Sequence, residues 1–323
     1  MSLLAYLSSF VLIALAIKVY LKVTTRWCQN KVCLVGKTVV VTGANSGLGY
    51  EVSLEFAKRG ARVILACRNE DKAKQARDQI ISETQNPNVV VKLVNMASLA
   101  SIRNFASDIL KSEKRLDILI NNAGTGILRN EFTEDGLQVL MQVNYFGSVL
   151  LTMLLMDLLE KSSPSRIINI SSILAKQANL TKGNLNTYTG MSVCYPNSKL
   201  GLILFTMKLA KLLKTSSVSV YSLHPGVIDT NIFNNVPIVG SIITQYFAKY
   251  FFKTVEEGIQ TILHTALTPG LEIYSGKHFE ECDVVETYKT ARDLELMETI
   301  WKETMRLIKC EEISEKLQLD AKR

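Results

Sequence analysis

Apolar and polar positions along this chain fall into three regimes. Residues 3–17 carry no charge, and the apolar character continues around Lys18 through Val19, Tyr20 and Leu21. From Gly36 onward, short unbroken runs rich in β-branched residues alternate with stretches where apolar residues recur every three or four positions. The runs predict strands over residues 38–42, 62–66, 89–94, 118–120, 166–170 and 218–223. Apolarity without polar alternation is what a strand buried on both faces requires. The periodic stretches predict helices over 48–59, 71–84, 98–111, 137–159 and 197–214. Alternating strand and helix imply right-handed crossovers and a doubly wound parallel sheet, the α/β class. Beyond Thr230 the alternation fails: residues 231–252 are apolar without a strand pattern, and helices are predicted over 255–266 and 288–309. No internal repeat or low-complexity tract interrupts the chain.

A length of 323 residues suits one large α/β domain. We divide it into an apolar segment at 1–22, a basic linker at 23–36, a folded α/β domain at 37–310 and a polar tail at 311–323. The apolar stretch of about 19 residues is near the minimum for a spanning helix. A cleaved signal peptide is the rival reading, since Ala14-Leu15-Ala16 resembles a small-residue cleavage site. The basic residues Lys18, Lys22, Arg26, Lys31 and Lys37 all follow the apolar run, the reverse of a secretory leader. That order favours a membrane anchor with the folded domain facing the cytosol. Part of the net charge of +7 is this juxtamembrane cluster. Its expected partner is an anionic leaflet and not nucleic acid. The six cysteines form no CxxC pair, so free thiols are expected over a disulfide framework. With only His224, His264 and His278, no metal site is expected.

Candidate chemistry begins where the first strand ends, in Thr42-Gly43-Ala44-Asn45-Ser46-Gly47-Leu48-Gly49, followed at once by a helix. Glycines there let the backbone turn tightly and approach a pyrophosphate, whose charge sits at the helix N-terminus. Gly-rich turns also occur in unrelated α/β proteins, so the pattern alone is weak. Further motifs follow in order. Asn121-Asn122-Ala123-Gly124 ends the fourth strand, Asn144 lies in Val143-Asn144-Tyr145-Phe146-Gly147, and Ser171-Ser172 ends the fifth strand. Tyr195-Pro196-Asn197-Ser198-Lys199 contains a YxxxK pair, and Pro225-Gly226-Val227-Ile228-Asp229-Thr230 ends the sixth strand. No GxSxG elbow occurs, which argues against a serine hydrolase.

In this order and spacing the motifs resemble the short-chain dehydrogenase/reductase family, over residues 36 to about 289. The resemblance implies a Rossmann-like sheet and a catalytic set of Asn144, Ser172, Tyr195 and Lys199. A tyrosine with an unperturbed pKa of about 10 is a useful acid only if brought nearer neutrality. Lys199, one helical turn on, carries the charge that favours tyrosinate. By the same resemblance Lys199 bonds the nicotinamide ribose, Ser172 bonds the substrate oxygen and Asn144 holds a relay water. Cofactor contacts are implied at Gly43, Asn45, Ser46, Gly47, Leu48, Gly49, Asn122, Ala123, Gly124, Pro225, Gly226, Val227 and Thr230. Asn95 and Met96 follow the third strand, with Asn95 standing where the family's aspartate meets adenine. Pro196 has no N–H to give, which suits a helix beginning about there.

Cofactor choice is read at the second strand. NAD-specific enzymes place an acid at its end, whereas an arginine accommodates a 2′-phosphate. Cys67 replaces the acid and Arg68 follows, which favours NADP(H); a merely solvated arginine is the alternative. The run Ala66-Cys67-Arg68, His224 before Pro225, and the long stretch between Ser172 and Tyr195 resemble the retinol dehydrogenase-like branch. That branch implies an N-terminal anchor in the endoplasmic reticulum and a lipophilic substrate. Ile242, Ile243, Tyr246, Phe247, Tyr250 and Phe251 recur at helical spacing, either as an apolar lid or as a helix packed on the core. Retinol/retinal interconversion is the expected activity. Another lipid alcohol, or a silent cofactor-binding scaffold, stays open, as does a homo-oligomer.

Overall fold

Strand β1 (Thr38–Thr42) is buried at every position, as its unbroken apolar run requires. The computed structural model describes residues 13, 15, 16, 18, 19, 22–126, 130–228 and 252–321. After β1 come α1 (Gly47–Lys58), β2 (Arg62–Cys67), α2 (Glu70–Thr84), β3 (Val89–Leu93), α3 (Leu99–Ser112) and β4 (Ile118–Asn121). Then follow α4 (Gly147–Leu154), α5 (Met156–Lys161), β5 (Ser165–Ile170), α6 (Met191–Leu212), β6 (Val218–His224) and α7 (Val255–Leu267). The chain closes with β7 (His278–Glu280), β8 (Asp283–Val285), α8 (Leu294–Leu307) and α9 (Glu311–Asp320).

The strands form one sheet in the order β3-β2-β1-β4-β5-β6-β7-β8. All pairs are parallel except β7 with β8. Alternate residues feed two cores. Val40, Ile64, Leu119, Ile167 and Val220 pack on the face carrying α3, α4, α6 and α8. Val39, Val41, Ile120, Ile168 and Tyr221 pack on the face carrying α1, α2 and α7. The strand order reverses at β1, which pairs with both β2 and β4. A crevice at such a reversal, outside the carboxyl ends of the strands, is where α/β sheets bind ligands.

Several expectations are corrected. The predicted helix over 137–159 is broken into a turn at Val139–Met141, a π-helical turn at Gln142–Phe146, α4 and α5. Gly147 permits this: a Cβ there would lie 3.0 Å from the carbonyls of both Gln142 and Met96. Helix α6 starts at Met191, so Pro196 lies inside it and not at its first turn. The proline deprives the carbonyl of Ser192 of its usual donor, and Ser192 is exposed, where water can serve instead. Residues 288–309 become a 3-10 turn at Lys289–Ala291 and then α8, capped by Asp293, which accepts from the Leu296 N–H at 2.9 Å. Strands β7 and β8 are too short for a hydrophobic period to announce them. The segment read as a polar tail contains α9, which buries Leu317 and accepts at Ser314 a 2.9 Å hydrogen bond from Trp301 Nε1. All six cysteines are free thiols.

No helix among the described residues is long and apolar enough to cross a membrane. Most of the apolar run read as an anchor lies outside the described residues, as does the aromatic segment from Ile242 to Phe251.

Candidate active site

The loop after β1 is built by glycine geometry. Gly43 and Gly47 have φ of +67° and +55°, a region that side chains rarely adopt. Gly49 is held for a different reason: a Cβ there would lie 2.3 Å from the Gly43 carbonyl oxygen and 2.5 Å from Asn122 Nδ2. The loop thus lies directly against the N-terminus of α1. Ser46 caps that helix by position but makes no side-chain cap bond, and Ser46 and Gly47 are exposed. The first turn carries no acidic residue. The N–H groups that a helix leaves unpaired at its start, beside an exposed hydroxyl that makes no cap bond, fit an anion, and the pyrophosphate of a dinucleotide is such a group.

Asn122 reaches back to this loop, its Nδ2 donating to the Thr42 carbonyl at 2.8 Å. Thr42 Oγ1 accepts from the backbone N–H groups of Asn122 and Ala123, both at 2.9 Å, and donates to the Ile120 carbonyl at 3.2 Å. Thr42 therefore staples the ends of β1 and β4, a role the sequence reading missed. A hydroxyl at the end of a buried strand was the available signal. Asn122 serves the loop's shape, and Gly124 faces inward: a Cβ there would lie 3.6 Å from both Asn144 Oδ1 and Lys199 Nζ.

The four expected catalytic side chains converge. Tyr195 and Lys199 project from α6 with Lys199 Nζ 5.6 Å from the Tyr195 ring centroid. Pro196 between them does not separate them. The Tyr195 hydroxyl hydrogen-bonds Ser172, which caps the 3-10 turn Ile173–Gln177 at the end of β5. Lys199 donates to the Ile170 carbonyl at 2.9 Å, and its own carbonyl accepts from Ser171 Oγ at 2.8 Å. Ser171 thus anchors the helix, and Ser172 faces the tyrosine. Burial pushes the Tyr195 hydroxyl up to about 12, against the lowering effect of Ser172. Burial also pulls the Lys199 ammonium down to about 8. Asn144 sits in the π-helical turn, a distortion that recurs at functional sites. Its Oδ1 accepts from the Thr125 N–H at 2.7 Å, and its Nδ2 donates to the Thr125 carbonyl at 3.0 Å and to Ser198 Oγ at 3.3 Å.

At the end of β2, the Cys67 thiol receives the backbone N–H groups of Ala44 and Asn45, while burial raises it to about 11. A neutral thiol therefore backs the glycine loop where an acid would face a ribose. Arg68 beside it is exposed. Asn95 closes a tight turn, its Oδ1 accepting from the Ala97 N–H at 3.1 Å, and Met96 is buried against Gly147. Pro225, Gly226 and Val227 follow β6 at the same carboxyl edge, with Gly226 at φ +97° against Lys253. His224 just before them has a buried Nδ1 without a hydrogen-bond partner among the described residues. Thr230 lies outside the described residues.

The short chain dehydrogenase family model matches residues 37–238. Retinol dehydrogenase 11 of Homo sapiens is 41% identical over 276 residues, 85% of this chain and 86% of that protein. Retinol dehydrogenase 12 of Bos taurus is 38% identical over 283 residues, 87% of this chain and 89% of that protein. An uncharacterised protein from Mycobacterium paratuberculosis has the same fold, with a TM-score of 0.71 at 26% identity over 88% of this chain and 98% of its own. Motif order, sheet topology and sequence likeness agree, and the chain belongs to the short-chain dehydrogenase/reductase family of NAD(P)-binding oxidoreductases, in its retinol dehydrogenase-like branch.

Proposed function

We propose that this chain is an NADP(H)-dependent enzyme that interconverts a lipophilic alcohol and its aldehyde or ketone, with retinol and retinal as the leading pair. The observation that carries the proposal is the convergence of Ser172, Tyr195 and Lys199 at the carboxyl edge that also holds the glycine loop. The relatives named retinol dehydrogenase support the substrate class. Gly43, Gly47, Ser46 and the first turn of α1 would hold the pyrophosphate, and Lys199 the nicotinamide ribose. When bound, the nicotinamide supplies or accepts the hydride.

The protein's own residues manage the proton. Burial favours the neutral form of Tyr195, so its hydroxyl is protonated at neutral pH and can donate to the oxygen of a carbonyl substrate. Lys199, with its pKa lowered only to about 8, is still largely charged at pH 7 and favours the tyrosinate left behind. Ser172 orients the tyrosine hydroxyl and offers its own to the same oxygen. Asn144 holds the loop at Thr125 against α6, closing the floor of the site. A protonated Tyr195 beside a charged Lys199 is the state that carbonyl reduction needs.

The direct test is cofactor-linked turnover by the purified full chain against retinoid, terpenoid, steroid and fatty aldehydes. Turnover of retinal well above the others supports the leading reading. Preference for another aldehyde moves the substrate within the same chemistry, and no turnover of any would leave a scaffold.

Arg68 is the proposed partner of the 2′-phosphate, being exposed beside a buried thiol that stands where an acid would end β2. Arg68→Asp removes the cation and offers an acceptor to a 2′-hydroxyl. The ratio of kcat/KM for NADPH over NADH is expected to fall, short of full reversal where other cations share the contact. An unmoved ratio would make Arg68 a surface charge.

We further propose that residues 1–22 anchor the chain in the endoplasmic reticulum membrane with the domain on the cytosolic side. Two glycosylation sequons report on this. Asn169 is fully buried and bonded to Thr206, so only the exposed Asn179 is informative. Protein made with microsomes is expected to gain no endoglycosidase-sensitive mass and to be digested by added protease. A glycan on Asn179, or protection of the domain, would put it in the lumen.

A further inference from the structure

The linker that joins the apolar N-terminal run to β1 is bonded along α7, and the direction in which it runs fixes which edge of the sheet lies nearest that run. The carboxyl end of α7 lies at the amino edge of the sheet. Arg166, the second residue of β5, donates to the carbonyls of Thr265 at 3.0 Å and Thr268 at 2.8 Å. The amino end of α7 lies at the opposite, catalytic edge. Lys253 just before it donates its N–H to the Val227 carbonyl at 2.8 Å. Gly258 in its first turns is so close that a Cβ would lie 2.3 Å from Ile228 and 2.9 Å from Leu48 of the glycine loop.

The linker follows this helix from the catalytic edge downward. Lys22 pairs with Glu257 in the first turn of α7. Arg26 pairs with Asp283 beside the β7–β8 turn, and the Cys28 N–H donates to Gln260 Oε1 at 3.1 Å. Asn30 Nδ2 then donates to the carbonyl of Leu267, the last residue of α7, at 2.9 Å, and Arg59 at the end of α1 donates to the Asn30 carbonyl at 2.8 Å. A helix of 13 residues spans about 20 Å at 1.5 Å per residue. Lys22, where the apolar run ends, is therefore about that far from the amino edge and beside the catalytic one. Val23 and Trp27 are exposed here, as is Val227 at the mouth of the site. Exposed tryptophan next to basic residues suits a headgroup layer.

We infer that the linker clamps the domain so that the carboxyl edge of the sheet, with the mouth of the active site, faces the lipid bilayer. The partner surface is lipid, and an apolar substrate passes between bilayer and site without crossing water. This rests on the proposed anchoring of residues 1–22 and adds the orientation that anchoring alone leaves open.

Trp27 and Trp301 are the only tryptophans in the chain, and Trp301 is buried, which makes depth measurable. The full chain is reconstituted in phosphatidylcholine vesicles with brominated acyl chains, which quench nearby indoles. In a Trp301→Phe background, Trp27 is expected to lose emission. With Trp27→Phe and Trp301→Phe, a reporter made by Val227→Trp is expected to be quenched. One made by Ile273→Trp, on the exposed turn after α7, is expected to keep its emission. Quenching of Trp27 with Ile273→Trp quenched as much as Val227→Trp would overturn the orientation while keeping the anchor. No quenching of Trp27 would overturn the anchoring itself, and the orientation with it. Asn30→Ala combined with Gln260→Ala cuts two of the linker's bonds to α7 and should narrow the gap between the two reporters. An unchanged gap would refute the clamp.

Discussion

Tyr195→Phe is expected to lower kcat by about 100- to 10,000-fold, the range that a positioned acid–base group contributes, while NADPH still binds. The phenylalanine ring keeps the packing of Tyr195, which is only 6% exposed, so the helix and the Lys199 position are retained. What disappears is the hydroxyl bonded to Ser172 and approached by Lys199, and with it the proposed proton donor. Lys199→Ala removes the neighbouring charge and the bond to the Ile170 carbonyl together, so it should weaken cofactor binding as well as turnover. Cofactor binding by fluorescence titration, beside steady-state rates, separates the two variants. A Tyr195→Phe enzyme turning over at the wild-type rate would remove Tyr195 from the mechanism.

Much of this site is legible in the sequence, for identifiable reasons. Strand β1 matches its predicted span because the run Val39–Val41, covered on both faces, is apolar throughout and is closed at each end by a buried threonine. The catalytic motifs announced themselves because each chemical role admits few residue types. Other features have no side-chain signature. The π-helical turn at Asn144 is a shift of backbone hydrogen bonds, and the apolar period passes through it unbroken. The early start of α6 was hidden by Pro196, which reads locally as a helix beginning. The helix at residues 311–320 looked like a tail because few apolar residues, Leu317 and the partly buried Ile313, and one hydroxyl, Ser314, seat it. Asn122 was recognised as part of a cofactor motif, yet its amide is spent on the Thr42 carbonyl, and Thr42 itself was passed over. Such long-range polar contacts depend on the sheet register, which local pattern does not specify.

That polar staple makes Gly49→Ala the second large effect. The added Cβ would meet the Gly43 carbonyl oxygen at 2.3 Å and Asn122 Nδ2 at 2.5 Å, separations that atoms do not tolerate. The obstruction includes backbone, so no rotamer change relieves it, and the glycine loop has to move off α1 and off Asn122. Overpacking of this kind costs about 1–3 kcal/mol of stability. The larger loss should be in cofactor affinity, since a displacement of about 1 Å in a positioned site can cost on the order of 100-fold. Gly136→Ala is the contrasting control. Unlike Gly49, which is helical and limited by contact, Gly136 has a φ of +70° and nothing within 4 Å of a Cβ, and it lies away from the loop. It should lose about 1–2 kcal/mol, the usual penalty of a left-handed residue, and bind NADPH normally. Thermal melts and NADPH titrations on both variants decide the matter. If Gly49→Ala binds NADPH like wild type while Gly136→Ala melts early, the loop does not cradle the cofactor, and its glycines serve only the packing of α1 on the sheet.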